Sequence, residues 1–428
     1  MYAIIEVMTK PYSVLMGKAV RHISRMRGGG SALPGLFVEK IDKHFVRDTL
    51  AQLPMGIVLI SGTNGKTTTT KMVVELLEGQ GLKVFTNKTG SNFSRGVAAA
   101  LLGEVNHRGK LHADIAVLEL DEAHAVHFVQ TIPPRYSLLL NVMRDQLDRF
   151  GEIDTTAAML SKIAHATTQT VVINREDPRL AKIGESLSSN VVYFGLANSI
   201  KSTFPSDDAL HDNSIERPKK SKADVVLTSV GEIATFKIQD TSIETPLKLR
   251  GVYNIFNAAA ALTTVRSILG DRLDQVQLIK TLSSVTPAFG RGEQLRIDGN
   301  PCELILVKNP SGFRLSLSSF DPNNTATMIA INDNYADGRD MSWLWDVDFE
   351  SLQQTGVSCV GGLRAYDMTL RLQHDNVTVD HTDINVAKCL DTFIKNNHQL
   401  PKRIYCTYTA MLAIRQALSK YTKVEDVR

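Results

Sequence analysis

Short runs in the first half of the chain are apolar at almost every position: Gly56–Ser61 (GIVLIS), Ile115–Leu120 (IAVLEL), Tyr136–Asn141 (YSLLLN) and Thr170–Asn174 (TVVIN). A strand that alternates apolar and polar positions buries one face, whereas one that is apolar throughout is buried on both. These runs therefore predict fully buried strands. The stretch from about Thr67 to Gln80, stopped by Gly81, predicts a helix, and Lys83–Thr86 (KVFT) starts another strand. Strand–helix alternation of this kind predicts an α/β fold, a parallel sheet with helices on both faces.

The pattern changes further along. Segments around Val225–Ile238 and Glu244–Leu249 alternate, which predicts antiparallel strands exposed on one side. A helix follows over Asn254–Leu269. A second, smaller Rossmann-like α/β unit is expected from about residue 295 to the end, with strands near Glu303–Val307, Thr327–Ile331 and Val357–Val360. Residues 200–223 are polar, carry Pro205, Pro218 and a lysine run, and read as a loop or insertion. Residues 12–27 predict an amphipathic helix with Lys18, Arg21, Arg25 and Arg27 on or near one side, ended by Gly28-Gly29-Gly30. Such a basic side is ordinarily solvated; contact with an anionic substrate or a membrane surface is the functional alternative. The expected organisation is an N-terminal helical segment over 1–55, a central domain over 56–294 and a C-terminal domain over 295–428.

Composition narrows the class without choosing a function. Apolar residues make up 43% and charged residues 22% of 428 positions, as in soluble globular chains. A net charge of +3 is too small to argue for nucleic acid. No run of 18 apolar residues occurs, so neither a signal peptide nor a transmembrane helix is expected. Cys302, Cys359, Cys389 and Cys406 form no C-x-x-C pair, which suits reduced thiols in a cytoplasmic protein.

The candidate chemistry begins at Ser61–Thr70 (SGTNGKTTTT), directly after the first buried run. A strand, a glycine-bearing loop and Lys-Thr at a helix start is the arrangement that phosphate binding needs. Backbone N–H groups point at the anion and the helix dipole favours it. Gly62 and Gly65 permit a backbone path that residues with Cβ resist. Lys66 can reach terminal phosphates and the Thr67 hydroxyl can hold Mg²⁺. The generic pattern G-x-x-x-x-G-K-[ST] would place its first glycine at position 60, which is Ile.

That departure has a counterpart. Thr63-Asn64-Gly65-Lys66-Thr67-Thr68 resembles the variant loop of the Mur ligase superfamily, which joins amino acids to peptidoglycan precursors, and of its relative folylpolyglutamate synthase. Asn87–Arg95 (NKTGSNFSR), Glu119–Glu122 (ELDE), Asn141 with Arg144–Glu152 (RDQLDRFGE), Asn174–Pro178 (NREDP), Gly251–Asn257 (GVYNIFN) and Phe289–Glu293 (FGRGE) follow in the superfamily's order and spacing. Lys308–Phe313 (KNPSGF), Asn332–Glu350 (NDNYADGRDMSWLWDVDFE) and Tyr408–Met411 (YTAM) resemble the C-terminal domain of its MurT branch. The likeness runs from about residue 30 to 415.

The resemblance implies ATP-dependent amidation of the α-carboxyl of D-glutamate in lipid II, through an acyl phosphate. Ammonia would come from a GatD-like glutamine amidotransferase partner, at the inner face of the membrane. It implies ATP contacts at Gly62, Thr63, Asn64, Gly65, Lys66, Thr67 and Thr68, an adenine contact at Asn254 and a phosphate contact at Arg291. Thr67 and Glu119 would be the Mg²⁺ ligands. Read from residues alone, Glu119, Asp121 and Glu122 also make an ordinary solvated acidic cluster.

Asp333, Asp337, Arg339 and Asp340 crowd one loop beside Trp343 and Trp345, the only tryptophans. A polar turn is the plain alternative, but the tryptophans suggest a packed platform or an interface anchor. By resemblance this loop lies near the partner's glutaminase site. Asp337, Asp340 and Asp346 are each candidates for the residue that orients the partner's histidine, and the sequence does not choose among them.

The chain also departs from its relatives. Gln146 stands where many Mur ligases have His. Lys162 is one position out of register with a lysine that is carbamylated in several relatives, and it is not assigned that role. The stretch near 203–224 lacks the two C-x-x-C pairs of many MurT proteins, so no zinc is expected. About 56 residues precede the loop strand, too few for a UDP-binding domain, which agrees with a lipid-linked substrate. The competing expectations are a folylpolyglutamate synthase-like amino-acid ligase and a non-catalytic nucleotide-binding scaffold.

Overall fold

The computed structural model describes residues 11–26, 33–87, 94–143, 153–204, 221–231, 233–249, 251–286 and 291–424. Gly28–Gly30, most of the segment after Asn87, Arg144–Glu152 with Gln146, and most of the polar insertion lie outside them.

The first sheet has nine strands in the order β2-β3-β1-β4-β5-β6-β7-β8-β9. They are β1 Ile57–Ser61, β2 Val84–Thr86, β3 Ile115–Glu119, β4 Tyr136–Leu139, β5 Thr170–Asn174, β6 Asn190–Leu196, β7 Val225–Ser229, β8 Ile233–Ile238 and β9 Thr241–Pro246. Pairing is parallel from β2 through β7 and antiparallel for the last two pairs.

The hydrophobic pattern explains the difference. Every residue of β1, β3, β4 and β5 is buried, because helices cover both faces. Val58 and Ile60 point into a core shared with helices Lys66–Gly79 and Val252–Leu269, while Ile57 and Leu59 point into the opposite core with helices Ser94–Glu104 and Ile153–Ala166. In β8 and β9 burial alternates, and only one face is covered. A run of four alanines, Ala258–Ala261, lets helix Val252–Leu269 lie close under the sheet.

The second sheet runs β10-β11-β15-β12-β13-β14, with β10 Arg291–Ile297, β11 Asn300–Leu306, β12 Ala326–Ala330, β13 Val357–Gly361, β14 Val379–Asp383 and β15 Lys402–Cys406. Only β10 is antiparallel to its neighbour. The last strand inserts between β11 and β12, so the loops after β11, β12 and β15 gather at one edge. Ligands bind at such carboxyl ends in open α/β sheets. All four cysteines are buried free thiols in or beside this sheet, and burial pushes the Cys302 thiol up to about 12.

Candidate functional site

The loop after β1 is held from the side by the end of β4. Asn141 Oδ1 accepts the Asn64 N–H at 2.8 Å, its Nδ2 donates to the Asn64 carbonyl at 3.0 Å, and its own carbonyl accepts the Thr63 N–H at 3.0 Å. The Thr63 hydroxyl donates to the Met143 carbonyl and accepts the Met143 N–H. Behind this, Asp177 accepts the Val142 N–H at 2.6 Å while capping helix Pro178–Glu185. The NREDP segment is therefore a buttress for the strand that supports the loop.

Gly62 has φ +132° and Gly65 φ +89°, the latter capping helix Lys66–Gly79. A Cβ on Gly65 would lie 2.7 Å from Asn257 Nδ2. Gly65→Ala combines left-handed strain of about 1–3 kcal/mol with displacement of that amide. It should weaken nucleotide binding by about tenfold or more, since 1.4 kcal/mol is one decade. Calorimetric titration with ADP checks this.

Lys66, 6% exposed, donates to the Gly62 carbonyl at 2.7 Å and to Glu122 Oε1 at 3.1 Å. Burial alone would raise the Glu122 carboxyl. Lys66, the backbone N–H of Glu122 and Lys308 outweigh it and hold the carboxyl below its ordinary range. Thr67 Oγ1 lies 2.9 Å from Glu119 Oε1. The end of β3 is pinned there by Asn87, which donates to the Glu119 carbonyl at 2.8 Å and accepts its N–H at 3.0 Å. A hydroxyl at a helix start and a carboxylate at a strand end are hard oxygen donors suited to Mg²⁺ that keeps water and phosphate ligands. Among the described residues no cluster of three or more His, Cys, Asp or Glu could hold a metal alone.

The second sheet closes over this loop. Lys308, after β11, donates to the Thr63 carbonyl at 3.1 Å. Asn309 caps helix Pro310–Ser319 and exchanges amide hydrogen bonds with Asn64 at 3.1 and 3.4 Å. The pocket between the two sheets is lined by Asn64, Gly65, Tyr253, Asn254 and Asn257 on one side and by Lys308, Gly312 and Phe320 on the other. Asn254 thus shares a cavity with the loop, and Thr68 also lines it. Arg291 opens β10, but its side chain is not among those described. Lys162 is exposed on helix Ile153–Ala166.

The three candidate aspartates separate by environment. Asp337 is 4% exposed, and its carboxylate accepts the Asn334 N–H at 3.1 Å, the Thr409 N–H at 2.7 Å and the Thr409 hydroxyl. It ties the loop after β12 to the start of helix Tyr408–Leu418. Asp340 is half-buried and accepts the Ser342 N–H at 2.9 Å. The backbone carbonyl of Asp346 receives Arg314 Nε at 2.7 Å. The tryptophans also divide: Trp343 is buried edge-on to Phe313, while Trp345 is 51% exposed with Arg371 over its ring.

Glu122, Lys308, Asn309, Asn257, Asn87 and Asn141 have no individual role predicted from the sequence, although each lies in one of the motif segments. A carboxylate three residues beyond Glu119, at the start of a helix facing the loop, was the available signal for Glu122. No local signal marks Lys308, because its partner is 245 positions away.

Comparison with known proteins agrees with this architecture. A family model described as the Mur ligase middle domain matches residues 60–265, and one described as MurT ligase C-terminal matches residues 306–411. The chain is 31% identical over 442 aligned residues to the lipid II isoglutaminyl synthase (glutamine-hydrolyzing) subunit MurT of Streptococcus pneumoniae, covering 95% of this chain and 96% of that protein. The corresponding Staphylococcus aureus subunit is 29% identical, with 86% and 88% covered. In fold, the chain is similar to the MurF ligase of Thermotoga maritima in complex with ADP, with TM-score 0.66, 18% identity, and 88% and 83% of the two chains covered. It is also similar to E. coli FolC in complex with DHPP and ADP, with TM-score 0.61, 14% identity, and 88% and 92% covered.

Proposed function

The chain belongs to the MurT family of Mur ligase-type subunits of lipid II isoglutaminyl synthase, and on that premise we propose how its residues run a glutamine-dependent amidation. The substrate is the α-carboxylate of D-glutamate in the lipid II stem peptide, and the product is D-isoglutamine. One observation carries the reading: Lys66 and the Thr67–Glu119 pair meet at the start of one helix, under Lys308 from the second sheet.

A carboxylate is a poor electrophile. One of its oxygens attacks the γ-phosphorus of ATP, the bond to the bridging oxygen breaks, and ADP leaves. Ammonia then attacks the acyl carbon, the C–O bond to phosphate breaks, and a proton is lost as the amide forms. The loop N–H groups and Lys66 bind the phosphates, Lys308 adds a second cation from across the cleft, and Asn254 and Asn257 line the nucleotide pocket. Thr67 and Glu119 would hold Mg²⁺, which when bound screens the negative charge of the phosphates. Arg291 is retained as a phosphate contact. Closure of the second sheet over the loop keeps water from the activated carboxyl.

Ammonia is supplied by a GatD-like glutamine amidotransferase, with Asp340 oriented toward its catalytic histidine. Of the three candidates, Asp337 is already committed to Thr409, which leaves Asp340 and Asp346, and Asp340 is the one tested first. No described helix is long and apolar enough to cross a membrane; the lipid-linked substrate proposed above would put the reaction at the inner face of the membrane.

The test is ATP turnover by the co-purified complex. ADP release should require both lipid II and glutamine, with free ammonia replacing glutamine. An amino acid as the obligatory nucleophile would instead indicate a folylpolyglutamate synthase-like ligase, and nucleotide binding without turnover would indicate a scaffold.

A further inference from the structure

Asn64 stands between the two glycines of the phosphate loop, where the resemblance makes it an ATP contact. Its backbone is held within the first sheet by Asn141. Its side chain turns to the second sheet. Asn64 Nδ2 donates to Asn309 Oδ1 at 3.4 Å, and Asn64 Oδ1 accepts from Asn309 Nδ2 at 3.1 Å. The two amides pair reciprocally, one from each side of the cleft.

Asn309 is fully buried, and its Oδ1 also accepts the Gly312 N–H at 2.8 Å, the capping bond of helix Pro310–Ser319. Gly312 leaves room for that bond, since a Cβ there would lie 2.9 Å from the same oxygen. The capped helix forms one wall of the nucleotide cleft through Gly312, Leu315, Ser316 and Ser319. Next to the amide pair, Lys308 donates to the Thr63 carbonyl. Asn309 thus fixes the start of the wall helix and the phosphate loop at a single point.

We infer that the Asn64–Asn309 pair is a closure latch, which sets how closely the second sheet seats over the phosphate loop, and that both are positioning residues for phosphoryl transfer. A reciprocal amide pair is directional, so a small shift of the wall helix weakens both bonds together. Neutral hydrogen bonds are individually modest in net terms, which suits a contact that opens for nucleotide exchange and closes for chemistry. The loop N–H groups and Lys66 belong to the first sheet's side and bind phosphate with the latch open or shut. Enclosure of the acceptor carboxyl needs it shut, so the latch acts on kcat more than on KM. The proposal rests on nucleotide binding in this cleft, as read above.

The experiment compares Asn309→Ser, Asn64→Ala and the double variant in the co-purified complex. Serine caps a helix as well as asparagine does but is too short to reach Asn64, so the cap stays and the latch is lost. Each single variant should lose about tenfold in kcat, and the KM for ATP should move by less than about threefold. Because each residue acts through the other, the double variant should be no slower than the slower single one. Hydrogen exchange read by mass spectrometry gives a second measure. ADP should slow exchange over 62–68 in every protein, and over 309–316 far more in wild type than in the variants. A lower melting temperature confined to Asn309→Ser would mean a disturbed cap, and Asn64→Ala, which leaves the cap intact, then carries the test. Additive losses in the double variant, a rise in KM confined to Asn64→Ala, or unchanged kcat in both single variants would each overturn the latch while leaving nucleotide binding in place. No slowing of exchange by ADP in wild type would overturn the nucleotide reading and the latch with it.

Discussion

Lys66→Met is expected to remove ATP turnover, by on the order of 10²–10³-fold or more for loss of one electrostatic contact to the transferring phosphoryl group, and to destabilise the protein at the same time. The second effect follows from Glu122, which is 2% exposed and has Lys66 as its ion-pair partner. Removing one member of a buried pair strands the other and costs about 3–5 kcal/mol. Lys66→Met/Glu122→Gln should therefore regain most of the lost stability in a denaturant titration and none of the turnover. If the double variant is as unstable as the single one, the pair is not what holds this corner together. Undiminished turnover in Lys66→Met would sink the ligase mechanism itself.

The pH dependence has a definite sign. In wild type the folded-state pKa of Glu122 is lowered. Its contribution to stability is therefore fully present above the unfolded value of about 4.3 and is lost as pH falls through the lower folded value. In Lys66→Met burial loses its main opposing charge and the folded pKa rises. That carboxylate then costs stability at neutral pH, and the cost disappears as it protonates. The melting temperatures of the two proteins should differ most near neutrality and converge on acidification.

The second large effect is expected at the loop after β12. Asp340→Asn should reduce glutamine-driven amidation by on the order of 10²–10⁴-fold, the range for losing the residue that orients a catalytic histidine, while amidation driven by added ammonium chloride persists. Asp337→Asn should behave differently. It weakens charged hydrogen bonds to Thr409 and Asn334, costs about 1.5–3 kcal/mol of stability, and lowers both activities together through the folded fraction. Parallel assays of both nitrogen donors with a thermal melt separate these outcomes. An equal fall in both activities for a stably folded Asp340→Asn would move that residue out of the partner's site, and a selective glutamine defect in Asp346→Asn would move the role there.

The contrast between β1 and β14 shows what a linear pattern can reveal. In β1 all five positions are buried and apolar or nearly so, so the strand is visible without any partner. Edge strand β14, Val379–Asp383, has no fully buried residue and reads as polar. Likewise β10 pairs only through β11, across a short turn at Asp298–Gly299. Such strands owe their existence to hydrogen bonding with a neighbour rather than to their own hydrophobicity, and local composition carries no trace of that.

The N-terminal helix is an intermediate case. Its periodicity is evident, but Gly17 and its contacts with Val38 and Leu102 decide which stripe turns inward. Lys18 and Arg21 lie on the protein side and leave Tyr12, Leu15 and Met16 outside, because Lys and Arg stems can lie along a contact while their charged ends find carbonyls or water.

For the site, the chain's own order determined the phosphate loop: a buried strand, two glycines in positive-φ conformations and Lys-Thr at a helix start are neighbours in sequence and remain neighbours in space. Everything that gives the loop its surroundings was decided by tertiary structure. Glu122 meets Lys66 across 56 positions, Asn141 meets Asn64 across 77, and Asn309 meets Asn64 across 245. The first two exist because β3, β1 and β4 lie side by side, and the third because the loop after β11 of the second sheet meets the phosphate loop. Strand order is set by which helices can cover which faces, a property of the whole packed chain, so the residues at the carboxyl ends of different strands come together only when the fold is complete.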